Sequence, residues 1–443
     1  MAVWSSVQLA ALPGTLRLDA EYYQPEYLAF ARATQDGQPL RDVVQGVLHP
    51  VEITRIYTEA GVRILLAQNI RQNYLDHAVA AFMPESVRTP LARNRLRPGD
   101  VVMTRSGANF GDAACYLDDP ADIFACADCL IIRPESIPGG YLSTFFNTRM
   151  GRGLLTRGAY GAAQPHIAPS YLKDLLIPRF NDIETAVHAN VVEADSLRRK
   201  AIAIYHEAEA LLTAALGLGR ADLTPRVFYE ASYAHAAAAA RLDAEYFSPR
   251  MQNVIETLSA GGKTIGNIAP LAKRHFKAVP GKPFQYIEIA DIGSAGTAES
   301  STVAGEAAPS RATWIVRPGD IITTTVRPIR RLSAIILPDQ DGYVCSSGFA
   351  VLRPREIEPE LLLTYLRLPL IAELLDLHTT ASMYPAISTV DLLRIPFRLP
   401  DDQARTRIVA KVRESFSARA ESLRLLSAAK RKVEAAIENH HPR

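Results

Sequence analysis

Nine residues near the start of the chain return later in it, and no other feature constrains the fold as strongly. Arg17-Leu18-Asp19-Ala20-Glu21-Tyr22-Tyr23-Gln24-Pro25 recurs as Arg241-Leu242-Asp243-Ala244-Glu245-Tyr246-Phe247-Ser248-Pro249, identical at seven of nine positions with an offset of 224. Three further matches follow in order at offset 220: Arg97-Pro98-Gly99-Asp100 with Arg317-Pro318-Gly319-Asp320, Ile131-Ile132-Arg133-Pro134 with Val351-Leu352-Arg353-Pro354, and Gln164-Pro165-His166-Ile167 with Tyr384-Pro385-Ala386-Ile387. A fifth pairs Leu176-Ile177-Pro178 with Arg394-Ile395-Pro396 at offset 218. Chance does not keep five matches collinear, and the small drift is what loop insertions produce. The 443 residues are therefore two copies of a unit of about 220, far longer than a solenoid repeat.

Each copy follows one plan. Short apolar or β-branched runs closed by Pro, Gly and Asp predict strands at 63–67, 100–104 and 129–132, and again at 284–289, 320–325 and 348–352. Arg-Pro-Gly-Asp reads as a turn feeding a strand. A long helix is predicted from Asn181-Asp182 to about Leu216, stopped by Gly217 and Gly219. Ala194, Leu197, Ala201, Ile204, Ala208, Leu211, Ala215 and Leu218 alternate along it at spacings of three and four, a heptad seam. A second helix opens after Pro400 and carries Ile408, Val412, Phe416, Ala420, Leu423, Leu426, Val433 and Ile437. Helices of this length outreach a compact lobe, so the two are expected to pair. The predicted class is α+β: two β-rich lobes joined by two long helices in an antiparallel coiled coil, with a pseudo-twofold internal repeat. The expected boundaries are a first lobe at 1–180, a helix at 181–218, a linker at 219–240, a second lobe at 241–398 and a second helix at 399–443.

Composition narrows the class. Hydrophobic residues make up 48% and charged residues 22%, which excludes disordered and fibrous chains. A formal net charge of +2 advertises no polyanionic or membrane partner globally, so such a partner must be met locally. Four cysteines are too few for a disulfide scaffold, Met1–Gly14 lacks the basic residues of a secretory signal, and no apolar run is long enough to span a bilayer. A cytoplasmic location with no membrane association is the expectation.

The Arg-Pro-Gly-Asp strand, the Gln-Pro-His-Ile segment before an Ile-Pro strand, the coiled-coil helix that follows, and the duplication of all of it together resemble the DNA-specificity (S) subunit of type I restriction-modification systems. That resemblance covers nearly the whole chain. It implies two target-recognition domains, each reading half of an asymmetric bipartite sequence in double-stranded DNA. It further implies that the paired helices set the spacing and dock two methyltransferase subunits, with motor-nuclease subunits joining through that methyltransferase core. The chain itself would be a non-catalytic subunit binding no cofactor or metal, with S-adenosylmethionine, ATP and Mg held by its partners. Two alternatives stay open: a specificity module of a related non-type-I restriction or phage-defence system, and a coiled-coil adaptor without sequence-specific DNA binding.

The residues support DNA recognition on their own terms. Scaffold positions agree between copies while the segments after the central strand do not, Arg105-Ser106-Gly107-Ala108-Asn109-Phe110 standing where Thr325-Val326-Arg327-Pro328-Ile329-Arg330 stands. Unlike tips on like scaffolds predict a target whose halves differ. Base-edge readout needs Arg, Asn and Gln on exposed loops. The candidate base contacts are Arg105 and Asn109 in the first lobe and Arg327, Arg330 and Arg331 in the second, with Gln68, Asn69 and Arg71 as lesser candidates. Gln164 and His166 belong to a segment that the resemblance puts near the recognition surface. Lys273, Arg274 and Lys277 are candidate backbone clamps in an acid-free basic run, and five arginines facing one acid between Arg88 and Arg105 form another. The helix residues expected in the coiled coil and partner docking are Leu197, Ile204, Leu211, Ile408, Val412, Leu423, Leu426 and Val433.

No P-loop and no Asn-Pro-Pro-aromatic motif occurs, so neither an ATPase nor an adenine-methyltransferase catalytic loop is expected. Cys126-Ala127-Asp128-Cys129 lacks an evident fourth ligand and leads into a strand, so metal binding is not expected.

Overall fold

The protein, in a computed structural model, is described at residues 4–7, 17–77, 81–107, 109–117, 120–161, 165–293, 295–380 and 383–440. It divides into two compact units: unit 1 comprises 1–199 with 418–443, and unit 2 comprises 200–417. Each long helix is thus shared between units, where the sequence suggested lobes ending at 180 and 398.

In unit 1 the turn Arg97–Asp100 starts the central strand. Gly99 takes φ +90, a conformation open to glycine, and the buried Asp100 carboxylate accepts the Arg97 backbone N–H at 2.8 Å. Val101–Thr104 then lies between Cys129–Pro134 and Ala113–Cys115, with Val44–Leu48 beyond. Alternation divides its side chains between two cores. Val101 and Met103 pack toward Phe145, Phe146 and Leu154, while Val102 faces Ile64, Phe124 and Ile131. A second sheet holds Val62–Leu65 antiparallel to Ala81–Met83 and parallel to Ile123–Ala125.

Unit 2 repeats this plan. Ile321–Thr324 lies between Ser333–Ile335 and Phe349–Leu352, with Ile321 in one core and Ile322 in the other. Val101 pairs with Ile132 and Val102 with Ile131, and in unit 2 Ile321 pairs with Leu352 and Ile322 with Val351. The parallel pair recurs as Phe284–Ile287 beside Val344–Ser346. The repeat is therefore kept at the level of individual strand partners.

The long helices span Asn181–Ala215 and Asp402–His440. In unit 1 their segments run antiparallel: Phe180 meets His440 edge to face at 5.0 Å, and the Ser422 hydroxyl donates to the Ala194 carbonyl at 2.6 Å. In unit 2 the Ser415 hydroxyl donates to the Ala201 carbonyl at 2.7 Å, and Arg398 reaches the Leu216 carbonyl. Ile408, Ser415, Ser422, Ala429 and Ala436 are all buried at intervals of seven, with Val412, Leu426 and Val433 between them. Ala194, Ala201 and Ala208 answer on the first helix, with Ile204, Tyr205 and Leu212 also buried.

This corrects the expected seam at Leu423, which is 47% exposed. One residue adds 100° of helical rotation, so Ser422 on the seam turns Leu423 outward. Small seam residues permit a backbone approach close enough for a serine hydroxyl to reach the facing carbonyl, and a search for apolar residues alone passes over them. Leu197 and Leu211 are half-buried at the flanks. The expected linker begins with a turn at Leu218–Arg220, contains a helix at Tyr233–Ala239, and leaves Val227 and Phe228 exposed.

Candidate nucleic-acid interface

The central strand of unit 1 ends in a hairpin loop. Its neck is closed by Thr104 N–H to Asp112 carbonyl (2.8 Å) and Gly111 N–H to Thr104 carbonyl (2.9 Å), leaving Arg105 and Asn109 in the loop. Arg105 is half-buried. Its Nη1 lies 3.2 Å from His49 Nε2 and its Nη2 donates to the Tyr160 hydroxyl at 3.4 Å. Tyr160 and His166 exchange both backbone hydrogen bonds, at 3.1 and 2.9 Å, and their rings lie 5.8 Å apart. Ser106 bridges to His166 as well, so the His166 segment forms the side wall of the tip. Gln68 is exposed on a turn whose Ala67 carbonyl accepts from Thr104 Oγ1 at 3.5 Å, which brings it to the same end of the sheet. Arg71 is half-buried, and its charge acts on Asp112, whose carboxyl burial pushes up. Gln164 lies outside the described residues.

Asn69 is removed from the base-contact candidates. It is buried, its side chain accepts the Leu66 N–H at 2.9 Å and donates to the Asp76 carbonyl at 2.7 Å, and those bonds hold the turn. An Asn inside a chain reversal satisfies local backbone, a role indistinguishable in sequence from a solvent-facing amide.

Unit 2 builds its tip on the same hairpin with different chemistry. Thr324 N–H bonds the Leu332 carbonyl, and between them Arg327 and Arg331 adopt left-handed φ of +50 and +58 on either side of a turn at Pro328–Arg330. Such angles are strained for a residue with a Cβ and persist where surroundings enforce them. Here Arg327 N–H bonds the Pro385 carbonyl at 2.7 Å, and Arg367 donates to the Arg331 carbonyl at 3.1 Å. Arg327, Arg330 and Arg331 are all exposed. The Arg327 guanidinium lies 5.4 Å from the centre of the Tyr384 ring, and Tyr384 is 66% exposed. The Val326–Ala386 bridge is the counterpart of Ser106–His166.

Both tips therefore set an arginine beside an exposed tyrosine from a later segment, Arg105 with Tyr160 and Arg327 with Tyr384. Sequence reasoning missed both tyrosines and His49. The Gln-Pro-His-Ile to Tyr-Pro-Ala-Ile match, which contains Tyr384 and pairs through His166 with Tyr160, marks the segment lying against each tip, whereas nothing in the sequence marks His49.

Of the basic run in unit 2, Lys273, His275 and Lys277 alternate as exposed residues on one face of an extended segment, with the His275 ring tilted against Trp314 at 4.6 Å. Arg274 points the other way and is corrected. It pairs with the fully buried Asp320, to which Arg353 also bonds at 2.9 Å, and its Nε donates to the Ile315 carbonyl. A guanidinium neutralising a buried carboxylate is a structural charge rather than a phosphate clamp.

The Cys126 and Cys129 sulfurs lie 3.7 Å apart, and the hydrogen bond between them draws the Cys126 thiol down and pushes Cys129 up. Burial holds Cys115 and Cys345 up at about 12. Among the described residues no three His, Cys, Asp or Glu side chains converge as metal ligands, and no helix is long and apolar enough to cross a membrane.

No family profile and no curated protein matches the chain. Solved structures do. The S subunit of a type I restriction-modification system from M. genitalium is 13% identical, over 92% of this chain and 96% of its own, with a TM-score of 0.38. The HsdS subunit from Thermoanaerobacter tengcongensis is 16% identical over 91% of this chain and 95% of its own, with a TM-score of 0.25. A chain from a structure of type I R-M complex assembly and conformational transition is 16% identical over 91% and 98%, with a TM-score of 0.29. These similarities span nine tenths of the chain.

Proposed function

We propose that the chain is the sequence-specific DNA-binding subunit of a type I restriction-modification complex. Each unit reads one half of an asymmetric bipartite target, and the protein performs no catalysis itself. The observation that carries this is the pairing of identical strand register with unlike tips: Arg105 with Tyr160 and His49 in unit 1, Arg327, Arg330 and Arg331 with Tyr384 in unit 2. Arginine forks read guanine edges, and tyrosine supplies a flat face or a hydroxyl for base or phosphate. A duplicated module for a symmetric ligand would keep both tips alike. Asn109, Gln68, Arg71 and His166 complete the first tip in this reading, and Lys273 and Lys277 grip phosphate in the second unit.

The paired helices dock two methyltransferase subunits, through which motor-nuclease subunits join. S-adenosylmethionine, ATP and Mg then belong to those partners. The test is a competition binding assay with the methyltransferase present, using duplexes randomised in one half of the target at a time. Arg105→Ala should relax preference in one half and Arg331→Ala in the other. Equal loss of affinity for every duplex in both variants would reduce these residues to phosphate contacts, and absence of any sequence preference in the unaltered protein would refute the proposal.

A further inference from the structure

The basic run Arg88–Arg105 does not act as one surface. Arg105 stands at one end of the paired strands Val101–Thr104 and Cys129–Pro134, beside Asp128, whereas Arg97 and Arg133 stand at the other, beside Asp100. At that far end a cavity of about 890 Å³ opens, lined among the described residues by Arg88, Arg93, Arg95, Arg97 and Arg133 and by one acid, Asp122. Its remaining wall is apolar, with Leu48, Leu96, Pro98 and Phe124.

Three of these arginines are occupied in part. Asp122 pairs with Arg88 and with Arg95 (3.1 Å), Arg88 also holds Glu85 at 2.8 Å, and Arg133 faces Asp100 at 3.5 Å. Arg93 and Arg97 are exposed, and among the described residues their side chains make no hydrogen bond or ion pair. Arg93 and Arg97 are thus left as uncompensated charges on the cavity, and planar forks match phosphate oxygens two at a time. The volume lies within the range of small-molecule sites, and the accessible Leu48 and Pro98 offer an apolar wall to a flat ring.

Unit 2 does not repeat this set of arginines. The Arg95–Phe124 bridge corresponds to the Ile315–Val344 pair, which places Thr313 and Ile315 where Arg93 and Arg95 stand. The two arginines that are kept are both tied down, Arg317 to Asp341 at 2.9 Å and Arg353 to Asp320. The cavity is thus no part of the shared scaffold.

We propose that this cavity in unit 1 binds one phosphorylated small molecule of the nucleoside di- or triphosphate class, its phosphates gathered by Arg93, Arg97, Arg95 and Arg133 and its base laid against Leu48 and Pro98. The site is independent of the DNA-reading tips. The test is calorimetry on the full chain with ATP, GTP, CTP, UTP and pyrophosphate as probes. At least one nucleoside triphosphate should bind saturably at one per chain, with pyrophosphate competing. The double variant Arg93→Ala/Arg97→Ala should weaken binding at least about tenfold with an unchanged melting midpoint. Arg317→Ala, in unit 2, should leave binding as it is. No saturable binding of any probe overturns the proposal, as does binding that survives the double variant. So does a double variant that binds the probes normally but loses affinity for all duplexes alike, which would make the cavity rim a DNA backbone clamp.

Discussion

Ser422 Oγ lies 2.6 Å from the backbone carbonyl of Ala194, a hydroxyl of one long helix bonded to the main chain of the other. The same arrangement joins Ser415 to Ala201 at 2.7 Å, so the helix pair is held by small residues and buried hydroxyls where a leucine seam would hold it by apolar bulk.

Ser422→Ala should therefore cost about 1 kcal/mol, the net worth of one buried hydrogen bond. Ser422→Leu should cost about 1–3 kcal/mol because the closely spaced backbones leave no room for the added methylenes. Leu423→Ala, on the outward side, should stay within about 0.5 kcal/mol. Urea denaturation followed by circular dichroism checks the order, and a larger loss for Leu423→Ala than for Ser422→Leu would contradict it.

The buried Asp320 carboxylate, with Arg274 and Arg353 on its two oxygens, predicts a second ranking. Asp320→Asn leaves two guanidinium groups without their counterion and should cost about 3 kcal/mol or more. Asp100→Asn, at the equivalent place in unit 1, removes a carboxylate whose one ion pair among the described residues is with Arg133 at 3.5 Å and that burial already holds above its ordinary pKa. It should cost less. Denaturation midpoints of the two variants measure the difference.

Histidines give the pH dependence. Burial draws His188, which accepts the Gly140 N–H in unit 1, and His378 in unit 2 below their ordinary 6.5. Below pH about 6.5 the unfolded chain takes up protons that the folded chain refuses, so stability falls as pH drops from that value toward the folded pKa values and is retained above it. Melting midpoints between pH 5 and 8 should show this slope, and His188→Gln with His378→Gln should flatten it. An unchanged slope in the double variant would assign the effect elsewhere.

At the tips, Arg105→Ala and Arg331→Ala should each lose about 1–3 kcal/mol of discrimination at one base position. Lys273→Ala with Lys277→Ala should instead weaken all duplexes alike and reduce the salt slope of binding by about two. Affinity measured across a salt series separates the two classes.

Much of the fold was legible because the chain states it twice. Arg-Pro-Gly-Asp marked both central strands, Gly217 marked the end of the first long helix and Pro400 the start of the second. What escaped did so for physical reasons. Ser415 and Ser422 are polar letters at seam positions, and only the closeness of the backbones makes them suitable there. Asn69 and Arg274 carry the chemistry of DNA contacts, yet turn inward to satisfy a backbone reversal and a buried aspartate. Tyr160 and Tyr384 reach their arginines from more than fifty residues away, a proximity that only the folded chain creates.

The measurement that bears most directly on the proposed function is a genome-wide map of methyl-adenine in the host with the gene intact, deleted, and carrying a chimera in which residues 18–180 come from a relative. A split, asymmetric motif should be present with the intact gene, vanish on deletion, and change in one half alone in the chimera. A methylome unaltered by the deletion, or a chimera that changes both halves together, would contradict the account of two units reading two different halves.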